Sequence, residues 1–204
     1  MSEIHPAILA HSENEFMTKV KKVRALGAPL HIDVMDGIFV QNTTWAPPER
    51  MQELLAGIVF EAHLMVANPE YVIPVWLAAG ARRVIFHEET TTQAASLCRD
   101  NDRVSVALNP ETPISHLSNE CAHVCIMGVT PGWSGQPFQE IALEKIREIK
   151  KMYPAAHITV DGGARSENIR AIVDAGADVV VVGSAITDAP DPAAAYQSFK
   201  EMLK

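Results

Sequence analysis

The feature that most constrains the fold is a repeat in which short β-rich apolar runs alternate with longer helical patterns along the chain. Eight such runs in 204 residues leave about 25 residues for each strand and the helix that follows it. We predict strands at Ile4–Leu9, Leu30–Met35, Val59–Met65, Arg83–His87, Val104–Asn109, Val124–Met127, His157–Asp161 and Val179–Val182.

An uninterrupted strand–helix–strand repeat implies a parallel sheet with helices on its outer face. Eight repeats favour closure of that sheet, so the sequence predicts an α/β protein with the TIM (β/α)8 barrel fold. No low-complexity linker interrupts the repeat, and we therefore expect a single compact domain over residues 1–204. In such barrels the chemistry lies at the carboxyl ends of the strands and in the loops that follow them.

The predicted helices carry recognisable end signals. Ser12 and Glu15 form a capping box at the start of the first helix. The apolar residues that follow share one helical face: Phe16, Val20 and Val23. Gly27, Gly80 and Gly176 each stand at a passage from a helix to a strand, where glycine can adopt the left-handed conformation that closes a helix.

The charge balance excludes some classes of partner. The chain has 17 Lys and Arg against 25 Asp and Glu, a formal net charge of −8. Nucleic acids and anionic membranes bind basic surfaces, so this charge argues against both, although a local anion site is still allowed. No apolar run approaches the roughly 20 residues that span a bilayer, and the first residues lack the pattern of a secretion signal. We expect a cytoplasmic protein with three reduced, core-packed cysteines: Cys98, Cys121 and Cys125.

Four polar side chains are predicted to converge at the mouth of the barrel. Alternate residues of a strand share a face, so His31 and Asp33 point to the barrel axis if the apolar residues beside them meet the helices. The same rule turns His63 and Asp161 inward at the ends of their strands. Burying two imidazoles and two carboxylates is costly unless they are paired or bind a metal. Together they suit zinc or another first-row divalent ion.

The remaining histidines are not predicted to lie beside other candidate metal ligands. We expect ordinary hydrogen-bonded side chains at His5, His11, His116, His123 and His157. His87, which ends the fourth predicted strand, is intermediate, because it could line the site behind the metal ligands.

Three glycine-containing loops after the sixth, seventh and eighth strands predict a phosphate site. Glycine lets backbone N–H groups approach an anion closely, and TIM barrels frequently bind phosphate at the loops after strands seven and eight. The residues expected to bind phosphate are Gly132, Trp133, Ser134, Gly135, Gly162, Gly163, Gly183 and Ser184. A phosphate site beside a metal with two carboxylates suggests chemistry on a sugar phosphate.

An ordered set of segments extends over nearly the whole chain: His31–Gly37 with Phe39, Val40 and Asn42, then His63–Val66, Met127–Gly132, Gly135–Gln136, Val160–Gly163 and Gly183–Ile186. In this order the segments resemble the ribulose-phosphate 3-epimerase family, and the set is far more specific than any one motif. The resemblance implies an isomerase of the pentose phosphate pathway with a TIM barrel. Such an enzyme inverts C3 of a ketose phosphate and interconverts D-ribulose 5-phosphate and D-xylulose 5-phosphate.

The resemblance also implies roles for the four strand-end residues. His31, Asp33, His63 and Asp161 would hold one divalent metal ion, with zinc as the first choice and iron, manganese or cobalt as alternatives. Asp33 and Asp161 would also act as acid and base, because inversion removes a proton from one face of C3 and delivers one to the other. The metal would polarise the ketone and stabilise the enediolate.

The substrate pocket is expected to include Met35, Met65, Met127 and His87. The three methionines match family methionines beside the enediolate intermediate. There, polarizable sulfur and the exclusion of water would help to stabilise that intermediate. Ordinary filling of the core explains them equally well.

The sequence departs from the family close to the expected substrate. Ala7 stands in the first strand where Ser is usual, and Gly128 occupies a position that usually holds Ser or Thr. In the loop after the sixth strand, Trp133 replaces Phe and Ser134 replaces Gly. The metal and acid–base set is intact, but these changes leave the identity of the ketose open.

Three alternatives therefore stay open. A ketohexose-phosphate epimerase, for example one acting on allulose 6-phosphate, would keep the mechanism. A sugar-phosphate lyase or decarboxylase could use a metal-stabilised enediolate, but no Lys stands at a matched strand end. A non-catalytic sugar-phosphate-binding barrel would explain Ala7 and Ser134 but not the complete set of four ligands. Because family members commonly form oligomers, we expect a homo-oligomer with no nucleic-acid or membrane partner.

Overall fold

The computed structural model describes residues 2–203 and contains a closed barrel of eight parallel strands in chain order. Strands β1 to β8 are Glu3–Ile8, Leu30–Met35, Phe60–Met65, Arg83–His87, Val104–Leu108, His123–Met127, His157–Asp161 and Val179–Val182. The ring closes where β1 pairs with β8, from Glu3 beside Val179 to Pro6 beside Val182. The predicted (β/α)8 barrel is confirmed, and the bounds of every predicted strand agree within one residue.

The described chain has eight α-helices outside the sheet. Helices α1 to α8 are Glu13–Val23, Pro48–Leu54, Ile73–Ala78, Ala94–Asp100, Ile141–Met152, Ile169–Ala175, Ser184–Thr187 and Pro192–Met202. Between β5 and β6 the only helical segment is a 3-10 turn at Ile114–His116. Most of the helices are short, and in residues 2–203 no α-helix lies between β5 and β6. A chain of 204 residues can therefore complete the barrel. None of the helices within residues 2–203 has both the length and the apolar character needed to cross a membrane.

The predicted helix ends are present. Ser12 Oγ accepts a hydrogen bond from the Glu15 backbone N–H at 3.3 Å. Glu15 closes the cap one residue earlier than a regular capping box, because its Oε2 accepts from the His11 N–H at 2.8 Å. The apolar face of α1 is buried as predicted, at Phe16, Val20 and Val23. The helix-closing glycines adopt the left-handed conformation at Gly27, Gly80 and Gly176.

The apolar core consists of one large cluster and two smaller ones. The large cluster lies between the outer strand faces and the helices and includes fully buried residues such as Ile32, Leu64 and Phe86. A smaller apolar cluster fills the barrel beside β4, β5 and β6, formed by Ile85, Ala107, Cys125 and Met127. On strands β1 to β3 the buried polar residues are His5, His31, Asp33, Glu61 and His63. Two more buried ionisable groups end other strands, His87 on β4 and Asp161 on β7.

The prediction of three reduced thiols is wrong for two of them. Cys98 on α4 and Cys121 just before β6 form a disulfide, with their Cα atoms 5.0 Å apart. A separation of 23 residues hides this pair from a search for local spacings, because only the packing of α4 beside the start of β6 brings the two residues together. Cys125 is a free thiol buried in the barrel.

Candidate metal centre and substrate cavity

The four strand-end residues meet at one point. The register places Asp33 on β2 directly beside His63 on β3, and His31 enters from the same strand as Asp33. Asp161 reaches the same point from the end of β7. One ligand atom from each of the four residues lies within 4.8 Å of the others, and all four residues are buried. The predicted convergence is therefore present in the structure.

Each imidazole directs one nitrogen at both carboxylates. His63 Nδ1 lies 3.0 Å from Asp161 Oδ2 and 3.4 Å from Asp33 Oδ1. His31 Nε2 lies 3.5 Å from Asp33 Oδ1 and 3.6 Å from Asp161 Oδ2. The lone pairs of two imidazoles and the oxygens of two carboxylates can thus be directed at a common centre.

Three of these facing atoms have no hydrogen-bond partner among residues 2–203, namely His31 Nε2, Asp33 Oδ1 and His63 Nδ1. Buried polar atoms are nearly always satisfied, so a group of orphans around one point indicates a ligand that they share. A divalent cation would satisfy all three together, and two histidines with two carboxylates form a donor set that zinc and other first-row ions accept. The residues therefore fit a metal ion.

The electrostatics of the centre favour a positive charge within it. Burial opposes the charge of Asp161, but the facing imidazoles of His31 and His63 outweigh burial and hold the pKa of Asp161 well below its usual range. Burial also opposes protonation of His31, yet Asp161 and Asp33 raise its pKa well above the ordinary value. The same carboxylates raise the pKa of His63 against its burial. Without an ion the imidazoles themselves are drawn to carry the positive charge.

His63 is supported from behind by His87. The two Nε2 atoms are 2.9 Å apart, and His87 Nδ1 lies 3.4 Å from Glu89 Oε2. Burial lowers the pKa of His87 despite the Glu89 carboxylate beside it. With its Nδ1 facing that carboxylate, a neutral His87 can accept at Nε2 from the His63 Nε2–H. This leaves the His63 Nδ1 lone pair facing the carboxylates. His87 is fully buried and does not line the cavity, which corrects its expected place in the substrate pocket.

The support behind His31 comes from a residue that was not predicted to belong to the site, Glu61. The carboxylate of Glu61 lies 2.7 Å from His31 Nδ1 and 3.0 Å from His5 Nδ1. His5 is hydrogen-bonded as expected, but its partner connects it to the metal ligands. The period-two pattern of β3 places Glu61 on the same face as His63, which is the one signal that could have revealed it.

A cavity of about 210 Å³ opens at the carboxyl ends of the strands, beside Asp33 and Asp161. All eight residues expected to bind phosphate line it: Gly132, Trp133, Ser134, Gly135, Gly162, Gly163, Gly183 and Ser184. The three expected methionines line it as well: Met35, Met65 and Met127. Among the described residues of this lining, Arg165 is the one cationic side chain, and its guanidinium donates to the Gly135 carbonyl at 3.2 Å. Arg165 is not among the predicted site residues, although it stands only two residues after Gly163.

The departure at Gly128 has a steric cause. A Cβ atom at this position would lie 2.7 Å from ring carbons of Phe138 and in direct collision with the Gly162 carbonyl oxygen. The Gly128 N–H also donates to the Asp161 carbonyl at 2.6 Å, which fixes the backbone in place. Serine or threonine therefore does not fit here without movement of the loop that follows Asp161.

The sequence matches a family model described as the ribulose-phosphate 3 epimerase family over residues 3–187. The ribulose-phosphate 3-epimerase of Mycobacterium leprae is 36% identical over 210 residues, covering 97% of this chain and 93% of that protein. The ribulose-phosphate 3-epimerase of Escherichia coli K12 is 34% identical over 202 residues, covering 92% of this chain and 90% of that protein.

Solved structures of more distant proteins share the fold. A KGPDC from Streptococcus mutans superposes with a TM-score of 0.74 at 15% identity, covering 100% of this chain and 97% of that one. The 3-hexulose-6-phosphate synthase of Salmonella typhimurium gives a TM-score of 0.68 at 18% identity, with 98% of both chains covered. These likenesses concern the barrel alone. The match across residues 3–187 and the identity of about 35% to named epimerases show that the chain belongs to the ribulose-phosphate 3-epimerase family, the carbohydrate epimerases of the isomerase class.

Proposed function

We propose that the protein is a metal-dependent ketose-phosphate 3-epimerase that interconverts D-ribulose 5-phosphate and D-xylulose 5-phosphate. The observation that carries the proposal is the pair of buried carboxylates, Asp33 and Asp161, which line one cavity together with three glycine-containing loops. Asp33 lies two residues before the end of β2 and Asp161 ends β7, with β1 and β8 between them in the ring. They therefore approach a substrate carbon from different sides, as inversion of a stereocentre requires.

One carboxylate removes the proton from C3 of the substrate, and the other delivers a proton to the opposite face of the same carbon. The low pKa of Asp161 suits a group that starts the cycle ionised. Exchange of protons with water resets the pair after each turnover. A divalent ion held by His31, Asp33, His63 and Asp161 would polarise the adjacent C2 carbonyl and neutralise the negative charge that develops there.

The rest of the cavity lining orients the sugar phosphate and keeps water out. The side chains of Met35, Met65 and Met127 are buried and present apolar surface beside the reacting carbon. We assign the phosphate to the loops that contain Gly135, Gly163 and Gly183, whose backbone N–H groups can approach an anion closely.

The proposal is tested by incubating the zinc-loaded protein with D-ribulose 5-phosphate in heavy water. We expect xylulose 5-phosphate to form with deuterium at C3. Asp33→Asn and Asp161→Asn should each slow epimerisation by at least about 10³-fold, because each removes one proton-transfer group. Asp174→Asn is the matched control: this exposed carboxylate pairs with Arg170 on α6 and should leave the rate unchanged.

The same incubation separates the alternatives. Cleavage of a carbon–carbon bond would identify a lyase, and binding without exchange or epimer formation would identify a binding protein. Ala7 lines the cavity without the hydroxyl of serine, which favours a ketohexose phosphate as the second candidate. A parallel assay with allulose 6-phosphate decides between the two sugars through the ratio of their kcat/KM values.

A further inference from the structure

The buried carboxylate of Glu61 lies behind His31, and the proposed epimerisation makes no use of it. Glu61 stands beside His31 in the register of β2 and β3 and is 2% exposed. Its Oε1 lies 2.7 Å from His31 Nδ1 and 3.0 Å from His5 Nδ1. The other nitrogen of His5 lies 3.2 Å from the carboxylate of Glu3, whose side chain is 60% exposed. Hydrogen bonds thus link His31 to the amino-terminal rim of the barrel.

The contact determines which nitrogen of His31 carries a proton. The Glu61 oxygen that faces His31 Nδ1 at 2.7 Å also faces His5 Nδ1 at 3.0 Å. A carboxylate oxygen placed between two ring nitrogens accepts from both, so His31 Nδ1 is the donor. The lone pair of a neutral His31 then lies on Nε2, the orphaned atom that faces Asp33 and Asp161.

A third buried carboxylate also needs a reason to be there. TIM-barrel interiors are normally filled by branched apolar residues, and an ionised group among them is stabilised only by well-placed partners. His5 is a second such partner and is itself fully buried. In this chain, therefore, Glu61 on β3 contacts His31 on the side away from the metal centre, and His5 on β1 contacts Glu61.

We propose that Glu61 and His5 are positioning residues for the metal centre: Glu61 holds His31 in the tautomer and orientation that present Nε2 to the ion, and His5 holds Glu61. The inference rests on the metal role of His31 in the proposed function. His63 has its separate support in His87, so loss of Glu61 weakens one ligand of the four. Carboxylates in this position behind a metal-bound histidine typically change metal affinity by about 10- to 100-fold.

The test measures binding of Zn²⁺ and Co²⁺ to the full chain by competition with a chromophoric chelator. We expect Glu61→Leu to lower affinity by about 10- to 100-fold. Glu61→Gln, which keeps an oxygen acceptor, should recover part of that loss. His5→Gln should lower affinity several-fold in the wild-type background and have no effect in Glu61→Leu, because His5 acts through Glu61. His123→Gln is the matched control, a histidine at the start of β6 that contacts Arg83 and not the metal ligands.

The visible absorption of bound Co²⁺ provides a second readout. It should change in Glu61→Gln, because a reoriented imidazole alters the ligand field, and should be unchanged in His123→Gln. Affinities within twofold of wild type for Glu61→Gln and His5→Gln, with unchanged spectra, would overturn the inference even if Glu61→Leu fails to fold. An equal effect of His5→Gln in both backgrounds would remove His5 from the pair. Wild-type protein that binds neither ion would instead overturn the metal role itself and the inference with it.

Discussion

Gly128 shows how tightly the loop after β7 packs against the end of β6. We expect Gly128→Ser to destabilise the protein by about 1–3 kcal/mol, because its Cβ would collide with the Phe138 ring and the Gly162 carbonyl. In a chain of this size that corresponds to a fall in Tm of roughly 2–12 °C, measured by circular dichroism. Ala7→Ser is the control, since it also introduces serine but on the wall of the cavity. Equal Tm values for the two variants would contradict the steric explanation.

His123 gives a stability that depends on pH. Burial and the charges of Arg83 and His157 lower its pKa to about 4, against 6.5 for an ordinary histidine. As the pH falls from about 6.5 towards 4, the unfolded chain takes up a proton that the folded protein does not, so stability is lost across this window.

We expect the fall in Tm between pH 7 and pH 5 to be larger in the wild type than in His123→Gln. Expressed as a free energy of unfolding, the difference between the two proteins should be under about 1 kcal/mol, because the half-exposed ring is screened by solvent. Both proteins are compared in the presence of a chelator, so that metal release at low pH affects neither curve. Parallel curves of Tm against pH would show that His123 is not the titrating group.

Single residues were predictable where a local rule applies. His31, Asp33, His63 and Asp161 follow from strand periodicity and from the position of each at a strand end. The link from His5 to Glu61 spans 56 residues, and no periodicity encodes which two buried polar side chains meet. Residue type and face are local properties, whereas a hydrogen-bond partner depends on the register of the closed sheet.

At the scale of the elements, the strands were predictable from β-rich apolar runs and from the glycines that end the preceding helices. Short parallel strands are buried on both faces, so their sequences are continuous apolar segments. The disulfide was missed for the opposite reason. Cys98 and Cys121 lie on a helix and a loop whose relative placement is set by packing on β5 and β6. The 3-10 turn at Ile114–His116 likewise replaces the helix that the repeat would provide between those strands.

The disulfide predicts a thiol count. Protein unfolded in denaturant without reductant should present one reactive thiol per chain, from Cys125, and three after reduction. Cys125→Ala should present no reactive thiol before reduction and two after it. Reduction should lower the free energy of unfolding by about 3 kcal/mol, because the bond closes a loop of intermediate length. Three thiols in unreduced wild-type protein would show that the bond does not form in solution.

At the scale of the whole molecule, the metal centre joins β2, β3 and β7, so binding of an ion should stabilise the entire barrel. At a free Zn²⁺ concentration 100 times Kd, we expect a gain of about 2.7 kcal/mol, or roughly 5–10 °C in Tm relative to chelator-treated protein. Differential scanning fluorimetry measures the shift. Mg²⁺ should shift Tm little, since it prefers oxygen ligands. An equal zinc shift in His63→Ala would place the stabilising ion elsewhere.

The pairing of β1 with β8 affects how the protein is made on the ribosome. Glu3–Ile8 is synthesised before the other seven strands, but its partner Val179–Val182 is synthesised after them. Until β8 has left the ribosome, the nascent sheet has two open edges, which are templates for association with other chains. His31 and His63 likewise wait for Asp161 on β7. Ring closure thus waits until all eight strands have been made, and a ribosome stalled before β8 releases a chain that can form neither a closed barrel nor a protected edge.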